Sequence, residues 1–154
     1  MGQMSKNILD PNSINMSGLS IDDIYVGRTA CFSRTITNSD VLTFAGLIGD
    51  FNPIHVNEEY AKTTRFGQRI AHGMLTASFI STVLGMSLPG AEALYLGQTI
   101  QFRAPVRLGD TITAKAEVIK VIPEKKRFVC RTTVTNQDGE IVVEGEATML
   151  TMME

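Results

Sequence analysis

Apolar and polar residues alternate with a period of two over most of the second half of the chain. Ala93–Phe102, Thr111–Val121, Phe128–Thr135 and Ile141–Thr151 each read as a half-buried strand, with Val143, Gly145 and Ala147 sharing one face of the last. Pro123-Glu124-Lys125-Lys126 predicts a turn between the second and third of these. Asn136-Gln137-Asp138-Gly139 predicts a hairpin turn before the last. The first half reads differently. Gly27 opens a strand over Arg28–Ile36. Thr37 and Asp40 then stand at capping-box spacing, with Asp in place of the usual Glu. Val41, Phe44, Ala45 and Ile48 follow on one helical face, and Gly49 can end that helix by turning left-handed. Pro53 stops any continuation, and a second short helix is expected after Asn57, through Glu58, Glu59, Tyr60 and Ala61.

Between Ile70 and Ala91 there is no Asp, Glu, Lys or Arg. Within this stretch Gly73–Leu84 has helical spacing, with Met74, Leu75, Phe79, Ile80, Val83 and Leu84 separated only by small residues. A helix that is apolar or small on every side is expected to be buried all round. One sheet covers such a helix only by curling around it. The order is therefore that of an α+β hot-dog fold: a curved antiparallel sheet wrapped on a central helix. The open sheet edge and the far side of the helix call for a second copy, so a homodimer or a multiple of it is expected. Residues 21–154 form a single domain on this reading, and residues 1–20, rich in Asn, Ser, Met and Gly, form a flexible extension.

Composition narrows the function. The chain has 154 residues, 44% hydrophobic and 19% charged, enough apolar material for one packed core. A net charge of −2 offers no positive field for a nucleic-acid partner. No run of apolar residues reaches membrane-spanning length and the first 20 residues lack a signal-peptide shape, so a cytoplasmic setting is expected. Cys31 and Cys130 are too far apart in sequence for a C-x-x-C pair and read as small core residues.

Candidate chemistry gathers in Gly49-Asp50-Phe51-Asn52-Pro53-Ile54-His55. Pro53 fixes its own φ and pushes Asn52 to an extended conformation, giving a stiff turn. Such a turn can present the Asp50 carboxylate and the His55 imidazole to one pocket, with the Asn52 amide orienting either. A carboxylate and an imidazole at one site suit paired proton transfers, one taking a proton from water and the other giving one to carbon. A second feature is Arg69-Ile70-Ala71-His72-Gly73 at the head of the uncharged helix. The Gly73 N–H points out of a helix N-terminus and is suited to an oxygen that gathers negative charge, unless Gly73 is only a packing residue. His72 reads as a capping residue or part of the substrate site. The two histidines lack metal-ligand spacing, and neither a metal nor an organic cofactor is expected. Lys62, Arg65 and Arg69 make the segment from Tyr60 to Ala71 locally +3, which suits the phosphates of a nucleotide carrier or an acidic carrier protein if it is not simply a solvated face.

The strings GDFNPIH, YAKTTRFGQRIAHGMLTASFIS and YLGQTIQFRAPVRLGDTITAKAEV, in that order, resemble the MaoC-like dehydratases, and within them the (R)-specific enoyl-CoA hydratases. The resemblance spans about Tyr25 to Leu150. It departs at Ile48, where the family pattern has a small or hydroxyl residue. It implies a hot-dog dimer that hydrates trans-2-enoyl-CoA to (R)-3-hydroxyacyl-CoA by syn addition, with an acyl carrier protein as the alternative carrier. By the same resemblance Asp50 and His55 match the catalytic pair, and Gly73 matches the oxyanion-binding position. Asn52 matches the motif asparagine, and Ser81 and Leu84 match positions near the acyl pocket. Two other readings stand beside it: a thioesterase on the same fold, and a non-catalytic acyl-thioester-binding module.

Overall fold

A computed structural model of the chain describes residues 17–154. The described elements follow the alternation of the sequence. β1 (Thr29–Thr35) leads into α1 (Asn38–Ile48), α2 (Pro53–Val56), α3 (Glu58–Lys62) and α4 (Gly73–Met86), followed by β2 (Ala93–Phe102), β3 (Thr111–Ile122), β4 (Arg127–Thr135) and β5 (Ile141–Thr151). The strands form one five-stranded sheet in the order β1-β3-β4-β5-β2, antiparallel at every pairing. Register shifts at Tyr95/Gly97, Val118/Lys120 and Val134/Thr135 add twist and bend the sheet. α4 packs against β1, β2, β3 and β4, so the sheet wraps the helix in the hot-dog arrangement.

The period of two explains the core. Ile112, Ala114, Ala116 and Val118 of β3 are buried, as are Phe128, Cys130, Thr132 and Val134 of β4 and Val143, Ala147 and Met149 of β5. They meet Leu75, Ile80, Val83 and Leu84 of α4. The alanines let the helix lie close to the strands. Gly145 has a stricter reason, since a Cβ there would stand 1.8 Å from the Thr99 carbonyl oxygen of β2. Cys130 is buried, which pushes its thiol up to about 12, whereas Cys31 on the edge strand is only half-buried.

Two helix ends behave as their residues require. Thr37 accepts from the Asp40 N–H and the Asp40 carboxylate accepts from the Thr37 N–H, completing the capping box. The Arg34 guanidinium on Asp40 holds its carboxyl down at about 2, with the Thr37 N–H helping. Gly49 closes α1 at φ +79, a left-handed conformation that costs glycine nothing.

Within one chain α4 is covered on one side only, and its far side is the one expected to need a second copy. Leu75, Thr76, Ala77, Ile80, Val83 and Leu84 are buried, but Gly73, Met74, Ser78, Ser81, Gly85 and Met86 are exposed, Met74 by 55%. A single five-stranded sheet curls around one side of a helix and leaves this strip uncovered. Most of the expected flexible extension lies outside the described residues. Its last part is docked: Leu19 is buried, and its carbonyl accepts a hydrogen bond from the buried Thr151 hydroxyl at 2.6 Å. Among the described residues no helix is long and apolar enough to cross a membrane.

Candidate active site

The stiff turn contains a helix that the sequence reading missed. Pro53 ends the run from α1 but sits in the first turn of α2, where a missing N–H costs nothing. Asn52 caps this helix by accepting from the Ile54 N–H at 3.1 Å. Its carbonyl also accepts from the His55 N–H at 2.9 Å. Asn52 therefore builds the turn, and its side-chain oxygen is spent on the backbone rather than turned to a substrate. Asp50 lies just before it and accepts from the Asn52 N–H at 3.0 Å through one oxygen, Oδ1. The other oxygen, Oδ2, stands 4.0 Å from His55 Nε2.

His55 is held from the far side by a segment remote in sequence. Ile70 bridges to Arg107 and donates its N–H to the Ile54 carbonyl, while Ala71 donates to Val106 at 2.8 Å. This lays the Ile70 carbonyl against the imidazole, where it accepts from Nδ1–H at 2.8 Å. That bond fixes the tautomer and leaves Nε2 as the working nitrogen facing Asp50. Burial lowers the pKa of His55 below its ordinary 6.5, and the nearby His72 and Arg69 push the same way. The Ile70 hydrogen bond and the Asp50 charge oppose this without overcoming it.

Gly73 is the first residue of α4, so its N–H has no acceptor within the helix. The Phe102 ring lies against it: a Cβ at position 73 would stand 2.8 Å from the ring. Gly73 and Phe102 also line a cavity of about 240 Å³ whose walls include Phe66, Ile70, Thr76 and Val143. Arg65 and Arg103 lie on its lining.

The remaining candidates separate. Lys62 is on an exposed face, paired with Glu59 at 2.7 Å. Arg69 turns inward instead of outward. Its Nε donates to the His55 carbonyl at 2.5 Å and one terminal nitrogen is buried, so it braces the end of α2. Only Arg65 of the three cations lines the cavity, with its guanidinium over the Phe66 ring. Leu84 is 0% exposed and belongs to the core, while Ser81 lies on the uncovered strip of α4. His72 does not open to a substrate, because it is 2% exposed and stacked on His55 at 3.9 Å between ring centres. The sequence reading missed Arg103, which comes to the cavity on the stretch after β2 and is paired with Glu144. Arg103 and Arg65 reach one cavity from segments far apart in sequence, which leaves no local sequence signal.

Asp50, His55 and His72 bring one donor atom each within 4.8 Å of one another. Two of the four ring nitrogens are already donors to backbone carbonyls. Stacked imidazoles direct their in-plane lone pairs along near-parallel lines rather than toward one ion at about 2.1 Å, so the donor set is a poor metal cage. The arrangement suits proton transfer instead. A carboxylate oxygen and an imidazole nitrogen stand too far apart for a direct hydrogen bond and close enough for one water beside them to bond both.

The family model for the MaoC like domain matches residues 26–140. The chain is 54% identical over 129 residues to an (R)-specific enoyl-CoA hydratase of Rhodospirillum rubrum, covering 84% of this chain and 89% of that protein. It is 49% identical over 129 residues to a 3-hydroxybutyryl-CoA dehydratase of Methylorubrum extorquens, covering 84% and 82%. Among solved structures, the unliganded R-hydratase of Pseudomonas aeruginosa superposes with a TM-score of 0.85 at 41% identity, covering 89% of this chain and 88% of that one.

Proposed function

The chain belongs to the MaoC-like dehydratase family, and from that membership we propose that it adds water to trans-2-enoyl-CoA, giving (R)-3-hydroxyacyl-CoA. The observation that carries the mechanism is the 4.0 Å gap between Asp50 Oδ2 and His55 Nε2. The thioester oxygen takes the Gly73 N–H, where the positive end of α4 stabilises negative charge as it builds. C3 becomes electrophilic. Asp50 takes a proton from the water as its oxygen bonds to C3, and His55, protonated on both ring nitrogens for this step, gives its Nε2 proton to C2 on the same face. Passage of the proton from Asp50 to His55 resets the pair. In the dehydrating direction the unprotonated Nε2, which burial favours, takes the C2 proton.

The cavity beside Gly73 suits the thioester arm, with Arg65 and Arg103 placed for the phosphates of the carrier. The working unit is a dimer on this reading. The sheet ends at β2, whose Leu94, Tyr95, Leu96 and Phe102 are exposed, and α4 presents its uncovered strip.

The direct test follows crotonyl-CoA by loss of the conjugated-thioester absorbance, with a free-thiol assay in parallel and chiral chromatography of the product. Hydration to the (R) alcohol without thiol release is expected. Thiol release would make the protein a thioesterase, and no change in either would make it a binding module. In the same assay Arg65→Ala should raise KM for the CoA substrate and leave KM for a short pantetheine thioester unchanged.

A further inference from the structure

His72 is buried at the centre of the site, and the proton transfers above do not use it. Its Nε2–H donates to the backbone carbonyl of Asp50 at 2.9 Å. Its ring lies against that of His55, 3.9 Å between centres and 30° from parallel. Phe44 of α1 meets the same ring edge-on at 5.1 Å. One side chain at the head of α4 therefore touches both members of the pair. We propose that His72 is a positioning residue, holding Asp50 by its N–H and His55 by its ring face and so setting the separation across which the proton passes. The proposal rests on the reading that Asp50 and His55 carry the protons.

The physical need is visible at each contact. Asp50 follows the end of α1, where the last intrahelical bond is from Gly49 N–H to Ala45, so its carbonyl needs a donor from elsewhere. His55 is tied to Ile70 through one nitrogen, and a single hydrogen bond leaves the ring free to pivot about it. Stacking on His72 removes that freedom. Nδ1 of His72 is buried without a hydrogen-bond partner, so among the described residues the ring's one hydrogen bond is the one to Asp50. The charged and titratable groups facing His55 are Asp50 from the α1–α2 connection, Arg69 from the segment before α4, and His72 itself.

The chain has only two histidines, both in this site, so nitrogen NMR of the full-length protein reads them without interference. In the wild type His55 should carry its proton on Nδ1 and His72 on Nε2. A His72 proton on Nδ1 would overturn the proposal, and this measurement needs no variant to fold. His72→Phe keeps a ring and removes the donor. It should lower kcat roughly tenfold or more, as expected for a displaced proton carrier, with KM within about threefold. His72→Gln restores an N–H and should recover part of that loss. In both variants the His55 titration should move up, because a repelling neighbour is gone. Wild-type kcat in His72→Phe, no recovery in His72→Gln, or an unmoved His55 titration would each overturn the proposal. If the wild-type protein hydrates no enoyl thioester, the functional reading falls, while the tautomer and titration measurements still decide the position of His72.

Discussion

Asp50 and His55 are defined by the atoms their neighbours leave unused. Asn52 occupies Oδ1 of Asp50 and Ile70 occupies Nδ1 of His55, so Oδ2 and Nε2 remain and face each other. Asp50→Asn and His55→Ala should each lower kcat by about 10²-fold or more, the size of a general acid–base contribution, with circular dichroism unchanged. Near-normal turnover in either would remove that residue from the proton path. Burial also makes a prediction about pH. The folded protein holds His55 below the 6.5 of an unfolded chain, so between those values the unfolded state binds more protons. The His55 contribution to stability is complete above 6.5 and is lost as pH falls through the folded value. Asp50→Asn removes a charge that favours the protonated ring, so NMR should show His55 titrating lower still in that variant.

Among the elements, α4 carries two demands at its first residue. Gly73 leaves room for the Phe102 ring and gives open access to a helix N–H. The two can be separated. Gly73→Ala should lose most activity, because its Cβ meets the ring at 2.8 Å and crowds the N–H. Adding Phe102→Ala removes the crowding by the ring. If Gly73 were only a packing residue, the double variant would regain wild-type kcat. Activity that stays low while urea denaturation shows restored stability would mark the open N–H as the reason for glycine. α2 teaches a related lesson. Its Pro53 was legible as a break, but whether a short helix restarts after a proline depends on a cap, and Asn52 and Asn57 supply one at the head of each short helix.

At the scale of the whole molecule, the described residues leave a band of apolar surface exposed. The β2 edge and the α4 strip expose Leu94, Tyr95, Leu96, Met74 and Met86, and Leu47, Ile48 and Phe51 beside the site are exposed too. Unpaired strand edges and apolar patches of this kind mark association surfaces. Light scattering at micromolar concentration should therefore give a dimer or a multiple of it. A stable, fully active monomer would show that one sheet and one helix complete the site unaided.

Local chemistry was enough to read the five strands, the Thr37–Asp40 capping box, the left-handed Gly49 and the chemistry-bearing string from Asp50 to His55. Periodicity, caps and proline act over a few residues, and each is written in the residues concerned. Partners brought from far along the chain decided the rest. Lys62, Arg65 and Arg69 look alike as a charge run, yet one pairs with Glu59, one lines the cavity, and one braces the His55 carbonyl. His55 and His72 are both imidazoles near the same helix. Which of them keeps a free nitrogen toward Asp50 follows from where the Ile70 and Asp50 carbonyls come to rest. Those positions are set by the Ile70–Arg107 bridge and the docking of α4, contacts between distant segments that no local pattern encodes.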